Sequence, residues 1–239
     1  MVAAKGFPGP VGGERGSDLP VARDLRPAFH SVLDDLDVHI GEVFDFVAAS
    51  VTQVSTAVST ANADLANAVI EREALLDSHL LDLEDSLPTL FARQQPVARD
   101  LRLLITAMRV LPELERSEDL VSHLAHRWDV RMTDLPAAAT DAVHAMGVVA
   151  SQMWQQAALS YQERDPTIGA VLERRDDDLD GLVAGLRGGL IAPRADAASV
   201  LNAVLVGRFF ERLGDHAVHL AGHVAYLVTG ETGTRSLPA

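Results

Sequence analysis

The chain has 239 residues, of which 48% are hydrophobic, so it can bury one large core or two cores of about 100 residues each. Its 34 acidic residues against 20 basic ones give a net charge of −14, a field that repels nucleic acid and anionic lipid. The absence of cysteine excludes disulfides, thiolate zinc sites and a cysteine nucleophile, and it fits a reducing cytosol.

Both ends of the chain are predicted to be flexible tails, residues 1–26 because they are rich in Gly and Pro without a sustained hydrophobic period, and residues 231–239 as a shorter tail. Gly and Pro interrupt the N-terminal segment before it reaches the apolar length of an export signal. No stretch reaches the ~18 consecutive apolar residues that a membrane span requires. We therefore expect a cytoplasmic protein without a transmembrane segment, which associates with membranes only through partners.

Long amphipathic helices are predicted between the tails. From Leu33 to Val58 the apolar residues recur at helical spacing, and no proline interrupts them. A third helix is predicted to open at Pro96, because the fixed φ and missing N–H of proline suit a first turn. The six predicted helices lie near residues 28–60, 64–91, from Pro96 onward, 134–161, 166–188 and 195–229.

The second half of the chain repeats the first. Residues 115–125, ERSEDLVSHLA, match residues 211–221, ERLGDHAVHLA, at six of eleven positions, and the second helices of the two halves align at an offset of 103 residues. We therefore predict an all-α fold of two tandem, pseudo-symmetric three-helix bundles, residues 27–128 and 129–230. A separate duplication, PVARDLR at 20–26 and 96–102, falls at another offset and has no explanation in this scheme.

Each repeat carries two carboxylate pairs at i, i+4, one on its second helix and one on its third. This spacing places both side chains of a pair on one helix face, where like charges repel unless a cation lies between them. Two pairs on neighbouring helices would form a cluster of the oxygen ligands that suit iron, manganese, magnesium or calcium. The candidate metal ligands are Glu73, Asp77, Glu115 and Asp119 in the first repeat and Asp176, Asp180, Glu211 and Asp215 in the second.

An alternative is open at these positions, since acidic pairs are also common on solvated helix faces. Recurrence of both pairs at equivalent places in the two repeats favours the metal. His123 and His219 follow one turn later and are candidate nitrogen ligands, although such histidines more often form hydrogen bonds between helices. Pro112 is expected to kink the third helix one turn before Glu115.

Signatures of known enzyme classes are absent from the sequence. The Glu-x-x-His spacing of ferritin-like di-iron enzymes, His-Glu-x-x-His, Walker-type phosphate loops and Gly-x-Ser-x-Gly do not occur. We therefore predict no enzyme activity. Two rival interpretations are a carboxylate-bridged, metal-dependent enzyme built on a helical bundle, and a structural helical protein without metal.

Several motifs together resemble the PhoU family. They are ARQQPVARDLR at 92–102, Leu-Glu-Arg at 114–116 with Asp119, FERLGDHAVHLA at 210–221 and YLVTGE at 226–231. The resemblance spans roughly residues 27–231. It implies a six-helix fold, usually a homodimer, with metal clusters held by Glu/Asp-x-x-x-Asp motifs that map onto the eight carboxylates named above.

The resemblance also implies a function in phosphate uptake and phosphate signalling. A member of this family is expected to be an adaptor between the Pst phosphate ABC transporter and a PhoR-type sensor kinase. It would negatively regulate phosphate transport and the phosphate-starvation response. The implied partners are the transporter ATPase PstB and the kinase PhoR.

The chain departs from the family pattern beside the carboxylates. Glu118 stands where the family has glycine, and it would either supply an extra ligand or crowd the first site. His123 and His219 stand where asparagine is usual, which would shift metal preference. Glu73 in place of aspartate keeps the charge and lengthens the reach of the side chain.

Overall fold

The computed structural model describes residues 26–94, 96–127, 135–191 and 196–231. Within these ranges the chain forms six α-helices and no strand. They are α1 (Arg26–Thr60), α2 (Ala63–Gln94), α3 (Ala98–Ala125), α4 (Ala137–Glu163), α5 (Ile168–Gly189) and α6 (Ala197–Thr229). The predicted all-α fold of six long helices is confirmed.

Some predictions concern residues outside the described ranges. They are the tails, apart from Arg26 and Glu231, the boundary between the repeats at residues 128 and 129, and most of the first PVARDLR copy. None of the helices in the described ranges is long and apolar enough to cross a membrane.

The start of α3 differs from the prediction. Val97 is extended, with φ −130° and ψ 159°, and Ala98 has a left-handed φ of 49°. Because the backbone turns at these two residues, Pro96 lies before the helix instead of opening it. By contrast, Pro112 lies inside α3, which continues through it.

The hydrophobic period of α1 determines which of its faces is buried. Each apolar position of that period is at most 4% exposed: Leu33, Leu36, Ile40, Val43, Phe44, Val47, Val51, Val54 and Val58. A buried aliphatic side chain contributes roughly 1.5–3 kcal/mol, so this face alone commits the helix to the core. Trp154 of α4 is fully buried as well, and its indole N–H donates to the Leu213 carbonyl oxygen of α6 at 2.9 Å.

Four helices surround the common core, and the other two lie outside them. α1 packs against α3 and α4, and α6 packs against α3 and α4, which closes a ring of four helices. α2 packs on α1 and α3, and α5 packs on α4 and α6. In each repeat the outer helix therefore presents its acidic face next to the third helix of that repeat.

α3 and α6 run antiparallel at the centre of the molecule. His123 near the end of α3 stacks on Phe209 in the first half of α6, and Arg109 in α3 lies 5.3 Å from the ring of Tyr226 near the end of α6. The pseudo-symmetry of the two repeats thus brings their third helices face to face.

Two glycines of α6 allow α5 to approach closely. A Cβ at Gly207 would lie 2.5 Å from Leu186 Cδ2, and a Cβ at Gly214 would lie 2.6 Å from Leu179 Cδ2. A larger residue at either position would have to displace the leucine side chain that it meets. This close approach sets the distance between the acidic residues of α5 and those of α6.

Candidate metal centres

The first-repeat site comprises Glu73 and Asp77 of α2 with Glu118 and Asp119 of α3. Ser122 of α3 donates a hydrogen bond of 2.8 Å to Glu73 Oε2, which joins the two helices at this level. Burial raises the pKa of the Asp77 carboxyl, and the charges of Glu73 and Asp119 raise it further. Three carboxylates predicted from the sequence therefore lie close enough to repel one another.

Glu118 is the buried member of this site. Its side chain is 1% exposed, and neither carboxyl oxygen forms a hydrogen bond of good geometry with a described residue, although the Ser50 side chain lies within reach. Burial raises the pKa of Glu118 to about 8, and the charges of Glu73 and Asp77 act in the same direction. The nearby Ser50 hydroxyl and the Arg72 charge oppose this shift without cancelling it.

Two other predicted ligands of the first repeat have different neighbours. The charge of Glu115 acts on Glu84, farther along α2 than Asp77, and it adds to the effect of burial in raising the pKa of Glu84. His123 is exposed, and its Nδ1 lies 2.6 Å from the carbonyl oxygen of Asp119 on its own helix. Its ring stacks on Phe209 of α6, with ring centroids 5.5 Å apart.

The second-repeat site comprises Asp176 and Asp180 of α5 with Glu211 and Asp215 of α6. Burial raises the pKa of Asp176 to about 6, helped by the charges of Asp215 and Asp180. Burial also raises the pKa of Asp215, which His219 opposes and Glu211 reinforces. The charges of Asp215, on the neighbouring helix, and of Asp180, one turn along α5, both act on Asp176.

Glu211 already has a cation beside it. Arg208, one turn earlier on α6, forms an ion pair with Glu211 Oε1. Glu211 Oε2 is buried and has no hydrogen-bond partner within the described ranges. One oxygen of this carboxylate is therefore neutralised while the other lacks any partner of its own.

The two sites differ most at the position before the final aspartate. In the second repeat this residue is Gly214, and a Cβ there would lie 2.8 Å from Asp176 Oδ1. In the first repeat the equivalent residue is Glu118, which is accommodated beside Glu73. The first repeat therefore has an additional acidic side chain where the second repeat has only backbone.

A polar network between α3 and α6 was not predicted from the sequence. The buried Ser117 hydroxyl donates to the Glu113 carbonyl oxygen at 2.6 Å and lies 2.8 Å from His216 Nδ1, within hydrogen-bond distance. Glu113 Oε1 lies 3.7 Å from His216 Nε2 and 3.5 Å from His219 Nδ1. Burial lowers the pKa of His216, against the pull of the Glu113 charge.

The sequence spacing of these residues does not predict the network, because Ser117 and His216 are 99 residues apart in the chain. The only indirect signal was the position of His216 next to Asp215 in the repeated motif. The network places His219 against Glu113 as well as beside the second-repeat carboxylates.

The donor chemistry of both sites fits a hard cation. Their carboxylate oxygens are the ligands that manganese, iron and magnesium accept, and their mutual repulsion is what a bound cation would remove. The buried carboxyl oxygens of Glu118 and Glu211 that lack hydrogen bonds of good geometry within the described ranges also favour a cation. As the side chains stand, however, no three His, Asp or Glu residues in the described part of the chain are grouped closely enough to hold a metal ion.

The fold and the two acidic sites define a duplicated helical-bundle protein with a carboxylate-rich face in each repeat. A family model described as the PhoU domain matches the chain twice, at residues 40–127 and 143–224. These two matches cover more than half of the chain, one in each half. The chain belongs to the PhoU family, and the resemblance inferred from its motifs is confirmed.

Individual relatives agree with this assignment. The phosphate-specific transport system accessory protein PhoU homolog 1 of Mycobacterium tuberculosis is 30% identical over 210 residues, which cover 86% of this chain and 95% of that protein. Homolog 2 of the same species is 29% identical and is covered to 99%.

Solved structures agree on the fold. The crystal structure of PhoU from Pseudomonas aeruginosa has a TM-score of 0.77 and 28% identity, with 85% of this chain and all of that chain covered. The phosphate transport system regulatory protein PhoU from Streptococcus pneumoniae has a TM-score of 0.74 at 19% identity, with 85% of this chain covered, and it supports the fold alone. The prediction of two pseudo-symmetric three-helix bundles is thereby confirmed.

Proposed function

We propose that this protein is an accessory regulator of phosphate-specific transport. It would act as a cytoplasmic, homodimeric adaptor between the Pst phosphate ABC transporter and a PhoR-type sensor kinase, and it would negatively regulate both phosphate transport and the phosphate-starvation response. One observation carries the proposal: relatives named as phosphate-specific transport system accessory proteins align with the chain over 95% to 99% of their own lengths.

We propose that the protein acts by binding its partners and catalyses no reaction. An adaptor transmits a signal only if it binds different states of its partners with different affinities. The long helices offer extended surfaces for the ATPase PstB and the kinase PhoR. The candidate ligands Asp77, Asp119 and Asp180 are exposed, which suits a site that is loaded from solution.

The two carboxylate sites are the proposed metal-binding sites of this adaptor. Glu73, Asp77 and Asp119 would hold a cation between α2 and α3, and Asp176 and Asp215 would hold one between α5 and α6. A bound iron, manganese or magnesium ion supplies positive charge that offsets carboxylate repulsion and offers an attachment point for phosphate oxygens. The protein's own part is to hold paired helices at a fixed distance, as Gly214 does in the second repeat.

The regulatory part of the proposal is tested in the organism that carries the gene. We expect deletion of the gene to switch on a phosphate-starvation promoter while phosphate is plentiful, and the wild-type gene to restore silence. Immobilised protein should also retain PstB and the cytoplasmic part of PhoR from purified mixtures. Normal promoter silence in the deletion strain, together with no retention of either partner, would refute the adaptor role.

The metal part is tested by elemental analysis of protein purified without chelator. Glu211→Ala with Asp215→Ala should lower bound metal by about half, because one of two sites is lost. The matched control is Asp177→Asn with Asp178→Asn, which removes two exposed charges beside the site on α5. Equal metal content in all three proteins would show that these acidic residues are ordinary surface.

The absence of catalysis is part of the same proposal. We expect no hydrolysis of phosphoesters and no oxygen consumption with ferrous iron by the metal-loaded protein. Turnover that is lost in the Glu211→Ala, Asp215→Ala variant would favour the rival interpretation of a carboxylate-bridged enzyme.

A further inference from the structure

A cavity of about 540 Å³ lies at one end of the bundle, where helices of the two repeats meet. It is lined by the beginnings of α1 and α3, by the end of α6, and by Arg164, the residue that ends α4. Its volume falls within the range of about 300–1,000 Å³ that is usual for small-molecule sites. None of the carboxylates of the two candidate metal sites lines it, so it is a separate feature of the fold.

Two of the three carboxylates that line this cavity already have cationic or imidazole partners. Asp37 forms an ion pair with Arg164 through its Oδ2. Asp100 Oδ2 lies 3.2 Å from His30 Nε2. The third carboxylate, Asp34, is exposed on α1. Among the lining residues, Asp34 is therefore the carboxylate without an ion pair.

The cavity also contains two arginines with free donor groups, Arg99 and Arg102, which lie one turn apart on α3. Nε of Arg102 donates to the Leu227 carbonyl oxygen of α6 at 3.2 Å, and this bond holds the guanidinium at the cavity wall. The terminal nitrogens of Arg102 and the side chain of Arg99 have no hydrogen bond or ion pair with another described residue. Two such arginines against Asp34 leave one unpaired positive charge, in a chain whose net charge is −14.

Apolar side chains line the cavity between the charged groups. Leu33 of α1, Leu103 of α3 and Leu227 of α6 are each at most 9% exposed. A hydrocarbon group placed against them leaves water, which is favourable in proportion to the apolar area that it buries. The cavity therefore combines a pair of guanidinium groups with an apolar wall, as sites for small organic ligands do.

We propose that this cavity binds a small organic anion. Arg99 and Arg102 hold its phosphate or carboxylate group, and its apolar body lies against the three leucines. A guanidinium group binds both head groups through the same paired N–H donors, so they represent one ligand chemistry. The ligand contacts α1 and α3 of the first repeat and α6 of the second, and it thereby ties the repeats together at this end. No metal takes part, so this inference is independent of the metal part of the proposed function.

The test is methyl NMR of the full-length protein in EDTA, titrated separately with phenyl phosphate, benzoate, inorganic phosphate and phenol. Phenyl phosphate or benzoate should shift the methyl signals of Leu33, Leu103 and Leu227. The better of these two should bind at least about tenfold more tightly than inorganic phosphate or phenol, because each of those carries only the charge or only the apolar body. The order of phenyl phosphate and benzoate identifies the preferred head group.

Variants connect the binding to particular side chains. Arg99→Gln should weaken binding of the better anion by at least about tenfold, and it removes no hydrogen bond or ion pair between described residues. Arg102→Gln should act alike, whereas Arg102→Lys, which keeps the charge without the paired donors, should restore part of the affinity. Asp34→Asn should tighten binding, because it removes the opposing charge. The matched control is Arg174→Gln, an exposed arginine of α5 outside the cavity, which should leave binding unchanged.

Three results would overturn the proposal. The first is the absence of shifts at the three leucines with either organic anion. The second is binding that Arg99→Gln and Arg102→Gln leave unchanged, or that Arg174→Gln weakens equally, since the anion would then respond to surface charge in general. The third is that phenol or inorganic phosphate binds as tightly as the organic anions, since one half of the ligand would then be irrelevant. Because EDTA is present throughout, none of these results bears on the metal part of the proposed function.

Discussion

Glu118→Gln should make the metal-free protein more stable at neutral and alkaline pH. The usual pKa of a glutamate, 4.5, is raised to about 8 in the folded protein, chiefly by burial. The folded state therefore holds this proton more tightly than the unfolded state, and the stability that the neutral carboxyl preserves below pH 4.5 is lost as the pH rises toward 8. Glutamine has the same size and does not ionise, so it escapes this loss.

The size of the effect follows from the shift in pKa. One pKa unit corresponds to about 1.4 kcal/mol, so the readier ionisation of this carboxyl in the unfolded state lowers the unfolding free energy of the wild type by about 4 kcal/mol at pH 8 and by about 1 kcal/mol at pH 5. The difference in unfolding free energy between Glu118→Gln and the wild type should therefore grow by about 3 kcal/mol between these two pH values. Urea denaturation in the presence of EDTA measures it at each pH.

A control variant separates the burial of Glu118 from the general effect of removing one negative charge. Glu71→Gln changes an exposed carboxyl on α2 and should give a difference that does not vary with pH. A Glu118→Gln difference that stays constant from pH 5 to pH 8 in EDTA would show that burial does not raise the pKa of Glu118.

Two further predictions concern packing and the junction between the repeats. Gly214→Ala should lower the unfolding free energy by about 1–3 kcal/mol, because its Cβ would lie 2.8 Å from Asp176 Oδ1, whereas Gly222→Ala on the same helix meets nothing within 4 Å and should not destabilise. Equal midpoints of thermal unfolding for the two variants would contradict this. Tyr161→Phe should cost about 1–2 kcal/mol, since the buried hydroxyl donates a 2.5 Å hydrogen bond to Asp37 Oδ1 between α4 and α1. An unfolding curve that matches the wild type would show that this bond contributes nothing net.

The helices were accessible from sequence because their determinants are local. The apolar period from Leu33 to Val58 predicts both that α1 is a helix and which of its faces is buried, and all of that face is buried. The start of α3 was predicted less well. Pro96 is compatible with a first turn, but the extended Val97 and the left-handed Ala98 move the first helical residue beyond it.

The acidic pairs were also readable, since i, i+4 spacing fixes which residues share a helix face. The sequence did not show which of these pairs meet across neighbouring helices. Asp77 lies near Asp119, whereas the charge of Glu115 acts on Glu84, a residue that the sequence did not single out. The axial offset between α2 and α3 decides which carboxylates face each other. This offset depends on side-chain packing along the whole helix pair.

The sequence by itself therefore determined the all-helical class, the duplication, the acidic motifs and the family, because hydrophobic period and repeated spacing are written along the chain. Only the tertiary structure decided that Glu118 is buried and that Ser117 meets His216. Both facts depend on the mutual placement of helices that are distant in sequence. Such placement is set by the sum of many weak packing contacts and leaves no mark in the spacing of any single motif.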